Sequence, residues 1–225
     1  MAALIKAVIF DFGHVLSQGE RPGRSAEMAR ICGLGVPAFK AVYAEHRPEY
    51  DRGRLSGAQY WQLVTERAGR KLGAQDTASL IELDTSNSTE LNPLMLGWAG
   101  QLAREGLRTA ILSNMTCDDM SRMEREGVLE RLGSFQVKVF SCRVGLVKPE
   151  EAIYRHCLGE LELEPVETLF IDDKEVNTEA ARRLGMGAFR FRSAEEDRQV
   201  PRRSSAGDLQ AICRRYDLPL PAELS

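Results

Sequence analysis

Five short apolar runs, set apart by helical patterns and polar turns, constrain this chain more than any other feature. They cover residues 4–10, 109–112, 137–140, 168–171 and 188–191. Their lengths and β-branched content predict buried strands. Amphipathic helical patterns lie between the later runs, over 94–104, 151–161 and 176–184. Gly185 follows the last of these as a helix stop. Strands alternating with helices predict βαβ units and a parallel sheet, an α/β chain with helices on both faces.

The rhythm breaks between the first two runs. From about residue 19 to residue 90 no strand is predicted. Short helical segments fill the gap at 25–31, 37–45, 58–68 and 76–83, punctuated by Gly53, Gly57, Gly69 and Gly73. An insertion straight after the first strand would sit above the carboxyl end of the sheet, where open α/β sheets bind ligands. We therefore expect a catalytic core of 1–18 and 91–225 and an inserted helical cap of 19–90. An ordinary helical layer against the sheet face is the alternative.

Composition narrows the class. The 225 residues suffice for one full core with an insertion. A charged fraction of 28% and a net charge of −3 give no basic footprint for nucleic acid. The densest basic cluster, from Arg198 to Arg203, reads as a solvated loop. No apolar run approaches the ~18 residues that span a bilayer. The first residues lead directly into a strand, without a signal-peptide layout, so a cytoplasmic protein without a membrane partner is expected. The five cysteines are odd in number and lack C-x-x-C spacing, so they are expected to be structural thiols.

Four segments then carry the chemistry. Asp11 closes the first apolar run. Its carboxylate is ionised at neutral pH and needs no activation to act as a nucleophile. A phosphoryl target would repel it unless a divalent cation such as Mg²⁺, which takes oxygen ligands, neutralised the charge. Ser113-Asn114 ends the second run. Hydroxyl and backbone N–H there would cradle a phosphate oxygen, or the pair would cap a helix. Lys148 precedes Pro149, which is expected at the first helical position with Glu150 and Glu151 in the first turn. Its ammonium would bridge Asp11 and a phosphate as a compact point charge, or else be solvated. Asp172-Asp173 ends the fourth run. Like charges ~4 Å apart repel by roughly 4 kcal/mol at an effective dielectric of 20, a cost that a metal converts into binding. Lys174 would relieve it otherwise. Asn177 would hold a metal-bound water or orient Asp173.

In this order, each at a strand end or helix start, the segments resemble the haloacid dehalogenase-like hydrolase superfamily over nearly the whole chain. Asp11, Ser113, Lys148 and Asp172/Asp173 match its four motifs. The stretch Ser141-Cys142-Arg143-Val144-Gly145-Leu146-Val147-Lys148-Pro149 and Phe10-Asp11-Phe12-Gly13 resemble the subfamily of the soluble epoxide hydrolase phosphatase domain and a bacterial sugar-1-phosphate phosphatase. The resemblance implies a Rossmann-like three-layer core with strand order 5-4-1-2-3 and a small helical cap. It implies an aspartyl-phosphate on Asp11 and Mg²⁺ held by Asp11, the carbonyl of Gly13 and Asp172, with Asp173 supporting the metal shell. Ser113 and Asn114 would bind phosphate, and Lys148 would steady the nucleophile.

Gly13 departs from the usual pattern, which places a second Asp there as general acid. That role is typically worth ~10²–10⁴ in rate. His14 is a candidate substitute or substrate contact. Strand parity turns it away from Asp11, whereas the family's twist after this point would not. In the insertion, Tyr50-Asp51-Arg52-Gly53-Arg54 and Tyr60-Trp61 are read as core first and as a substrate grip second. The expected activity is a Mg²⁺-dependent phosphatase of a small phosphorylated metabolite, acting as monomer or homodimer. The alternatives are a catalytically weak relative that binds a phosphorylated ligand or a partner, and a metal-independent haloacid dehalogenase, against which the Asp172-Asp173 pair weighs.

Overall fold

The computed structural model describes residues 4–19, 21–192 and 205–224. The basic cluster from Arg198 to Arg203 lies outside them. Strands β1 (Ala7–Phe10), β2 (Arg108–Ser113), β3 (Val137–Phe140), β4 (Thr168–Asp172) and β5 (Gly187–Arg190) form one sheet in the order β3-β2-β1-β4-β5. Every neighbouring pair is parallel. This is the expected Rossmann-like order. The first strand is shorter than predicted: Leu4 is 79% exposed, and pairing starts only at Ala7.

Alternation along the strands sends side chains to two cores. Val8 and Phe10 pack with Ile111 and Ile171 against α6 (Pro93–Arg104), α7 (Cys117–Arg125) and α12 (Ser205–Tyr216). Ala7 and Ile9 pack with Leu112 and Phe170 against α10 (Glu151–Leu161) and α11 (Glu175–Arg183). Burial of both faces explains why the strands read as continuous apolar runs. Gly185, at φ +89°, ends α11 in a left-handed turn that only glycine adopts cheaply.

Between β1 and β2 the chain forms α1 (Arg24–Cys32), α2 (Val36–Glu45), α3 (Arg47–Asp51), α4 (Gly57–Glu66) and α5 (Ala74–Thr85). Helix α3 is not foreshadowed in the sequence: it is a single turn whose Arg47–Pro48 start gives no periodicity to detect. These helices enclose a separate apolar cluster of Met28, Phe39, Tyr50, Tyr60, Trp61, Val64 and Leu80. Tyr60 and Trp61 are fully buried, so they are core here. The chain leaves and re-enters the sheet region at one place. Ser17 pairs antiparallel with Leu91, Gln18 N donates to Glu90 O at 2.7 Å, and Asn92 N donates to Leu16 O at 2.8 Å.

The insertion docks on the carboxyl ends of β2 and β3. Tyr50 Oη donates to Asp118 Oδ2 at 2.7 Å. Ser141 Oγ donates to the Asp51 carbonyl at 2.6 Å. Arg52 forms an ion pair with Glu150. Gly53, at φ +75°, permits a close backbone approach: a Cβ there would lie 2.9 Å from the Cys142 carbonyl oxygen. No helix among the described residues is long and apolar enough to cross a membrane.

Candidate active site

Sheet register assembles the acidic centre. Phe10 pairs with Ile171, and Asp11 N donates to the Ile171 carbonyl at 2.8 Å, so the next residues, Asp11 and Asp172, leave adjacent strands side by side. Asp11, Asp172 and Asp173 are all buried, and each offers a carboxylate oxygen within 4.8 Å of the others. Lys148 Nζ lies between two of them, 2.8 Å from Asp11 Oδ1 and 2.7 Å from Asp172 Oδ2. It also stands 5.4 Å from the centre of the Phe170 ring, against the negative face.

One ammonium paired with two carboxylates, with a third beside them, leaves negative charge over. Burial, then the Asp11 and Asp172 charges, push Asp173 up to about 7. Burial also raises Asp11, against the pull of Lys148. For Lys148, burial works downward, but Asp11 and Asp172 win and hold the ammonium above its ordinary range. Asp173 Oδ1 is buried without a hydrogen-bond partner among the described residues. An orphaned carboxylate oxygen is costly inside a protein. An all-oxygen set with one uncompensated atom fits a hard divalent cation.

The surrounding residues hold this set in place. Phe12 N donates to Asp11 Oδ1 at 2.7 Å. Asn177 Nδ2 donates to both oxygens of Asp172 at 3.0 Å, and Lys174 N donates to Asp172 Oδ1 at 2.8 Å. Asn177 thus orients Asp172; of its two expected roles, the one toward Asp173 is taken by its neighbour. Asn114 is engaged at both ends of its amide. Its Nδ2 donates to the Lys148 carbonyl at 2.9 Å, and its Oδ1 accepts from Lys148 N at 2.8 Å. The Asn114 side chain therefore clamps the Lys148 main chain.

The helix-capping alternative for Ser113-Asn114 fails. Thr116 caps α7, in a reciprocal pair with Asp119. Ser113 stays buried at the end of β2, its hydroxyl only 3.3 Å from the Asn114 carbonyl. Pro149 also differs from expectation: α10 begins at Glu151 with Glu150 as its N-cap, so Pro149 precedes the helix. Lys148 is buried, so the solvated alternative does not hold.

After Asp11 the chain turns tightly, and Ser17 N closes on the Phe12 carbonyl at 2.8 Å. His14 has φ +59°, a left-handed conformation uncommon among non-glycine residues but one that histidine adopts more readily than most. Strand parity therefore does not govern where His14 points. Its Nδ1 is buried without a partner. Gly13 has φ −61°, which any residue adopts, and a Cβ built there would meet nothing within 4 Å. Neither conformation nor crowding demands glycine at this position.

Comparison with known proteins settles the family. The haloacid dehalogenase-like hydrolase family matches residues 5–185. The chain belongs to this family of hydrolases. Mouse bifunctional epoxide hydrolase 2 is 29% identical over 196 residues, covering 81% of this chain and 35% of that one. The chain thus spans about a third of that relative's length. The D-ribitol-5-phosphate phosphatase of Bacteroides thetaiotaomicron is 26% identical, covering 87% of this chain and 96% of that one. A haloacid dehalogenase-like enzyme from the same bacterium, solved with magnesium and inorganic phosphate, superposes with a TM-score of 0.64 at 21% identity, over 87% of this chain and 98% of that one. L-2-haloacid dehalogenases share the fold as well.

Proposed function

We propose that this hydrolase is a Mg²⁺-dependent phosphatase of a small phosphorylated metabolite, working through an aspartyl-phosphate on Asp11. The observation that carries the reading is the unbalanced carboxylate set: Lys148 joins Asp11 to Asp172, while Asp173 keeps a buried oxygen unpaired. A metal-independent dehalogenase has no use for that surplus charge. The phosphatase and the magnesium–phosphate complex among the similar proteins support the same reading.

In this reading Asp11, the Gly13 carbonyl and Asp172 would hold Mg²⁺, with Asp173 supporting the metal shell. The cation would offset the repulsion between the carboxylate and the phosphoryl group. Asp11 attacks phosphorus, the bond to the leaving oxygen breaks, and water later hydrolyses the acyl phosphate. Lys148 keeps the attacking oxygen aimed and adds positive charge beside the phosphoryl oxygens. Ser113 supplies a hydroxyl at the end of β2. Asn114 contributes through its backbone and through its clamp on Lys148, since its amide is already engaged. His14 lines the turn beside Gly13 and is assigned to substrate contact. Residues 19–90 act as a cap, for which the docking of Tyr50, Asp51 and Arg52 on the β2 and β3 ends is the support.

Gly13 brings no proton donor to the leaving group. A binding protein with slow turnover is the second reading, and this glycine is the observation that favours it. A panel of phosphorylated metabolites assayed with Mg²⁺ and with EDTA tests the proposal. Metal-dependent release of phosphate, lost in Asp11→Asn, supports the phosphatase. Mg²⁺ affinity without turnover, and without capture of a fluoride phosphate mimic, favours the binding protein. Absence of any metal-dependent turnover, with Asp11→Asn unchanged, overturns the assignment.

A further inference from the structure

The five cysteines do not form one class. Cys32, Cys157 and Cys213 are buried in separate apolar clusters. Cys117 and Cys142 instead lie together, although 24 residues separate them in the chain. Cys117 is the first residue of α7, after β2, and is exposed. Cys142 lies on α9 (Ser141–Val144), after β3, and is half-buried. The point where a Gly53 Cβ would stand is 3.1 Å from Cys117 Sγ and 3.5 Å from Cys142 Cα. Burial and then the adjacent Cys117 thiol push Cys142 up to about 12. Parallel pairing of Ser113 with Phe140 explains the meeting: the two loops start from adjacent strand ends.

We infer that Cys117 and Cys142 are a peroxide-sensitive dithiol that closes to an intramolecular disulfide. Two thiols reduce one hydroperoxide. The exposed Cys117 sulfur attacks a peroxide oxygen, the O–O bond breaks, and a sulfenic acid and water (or an alcohol) result. The Cys142 sulfur then attacks the Cys117 sulfur. The S–O bond breaks, and the hydroxyl leaves as water with the Cys142 proton. The bond fastens the start of α7, which follows Ser113 and Asn114, to α9 beside Gly53 of the insertion.

The test is intact mass and thiol count of the full chain after brief hydrogen peroxide treatment and acid quench, with mapping by non-reducing digestion. The expected result is loss of the mass of two hydrogens, a fall from five thiols to three, and one cross-linked peptide joining Cys117 to Cys142, all reversed by dithiothreitol. Cys142→Ser should instead gain oxygen at Cys117, and Cys117→Ser should resist. The inference is overturned if the wild-type chain only gains oxygen at single cysteines or keeps all its thiols. A bond to another cysteine or between two copies overturns it too, as does loss of two hydrogens in either serine variant.

Discussion

Two clusters of buried acids in this protein each face one cation, and they end differently. At the insertion–core contact, Arg47 faces Asp51 at 2.8 Å, Asp84 at 3.0 Å and Asp119 at 3.9 Å. Tyr43 Oη adds a donor to Asp84 at 2.6 Å, and Thr116 Oγ1 one to Asp119 at 2.7 Å. Lys148 likewise sits among Asp11, Asp172 and Asp173, yet one oxygen of Asp173 is left without a partner. Arginine's forked donors suit a cluster to be closed, and a compact ammonium suits one to be left open. The first is arranged for holding the fold, and the second leaves room for a charge from outside.

Substitutions should separate the two. Asp11→Asn is expected to lower phosphatase turnover by about 10⁴-fold or more while thermal unfolding stays near wild type. Arg47→Leu should do the reverse. Removing one partner of a buried charged cluster costs about 3–5 kcal/mol, read as a fall in denaturant midpoint. If Arg47→Leu left stability intact, the closed cluster would not be structural.

Gly13→Asp comes next. The open space at this position admits a carboxyl group, and a proton donor there should raise turnover on alkyl phosphates by about 10²-fold. Aryl phosphates with good leaving groups should gain little. No gain on either would remove leaving-group protonation as the limiting step.

The smallest effect concerns pH. Burial, offset in part by Arg47, pushes Asp119 up to about 6. A carboxyl raised above its unfolded value of ~3.9 binds more protons in the folded state, so stability falls as pH rises from about 4 to about 6. Urea midpoints across that window should show a downward slope that Asp119→Asn reduces. An unchanged slope would place the titration elsewhere.

Much of the acidic centre was legible in the sequence because it depends on strand ends. Asp11 and Asp172-Asp173 each follow a run buried on both faces, and parallel register then brings them together. Contacts across long separations were not legible. The Asn114 clamp on Lys148, the Arg47 cluster and the Cys117–Cys142 pair join residues that no local period connects. Parity gives no guide to His14, because the strand ends before it and a left-handed residue has no strand face. Asn177 was placed near the right carboxylates, but the one it orients is Asp172 where Asp173 or a metal-bound water was expected, since helix spacing fixes its face and not its rotamer.

The Ser17–Leu91 bridge has a consequence for exchange of parts. Exit and entry of the helical segment share one antiparallel contact, so the sheet experiences the insertion as a single closed loop. Lengthening such a loop twofold adds only ~0.6 kcal/mol of closure entropy. A different helical segment grafted between these two residues would leave the register of β1 and β2 untouched, and with it the meeting of Asp11 and Asp172 at adjacent strand ends.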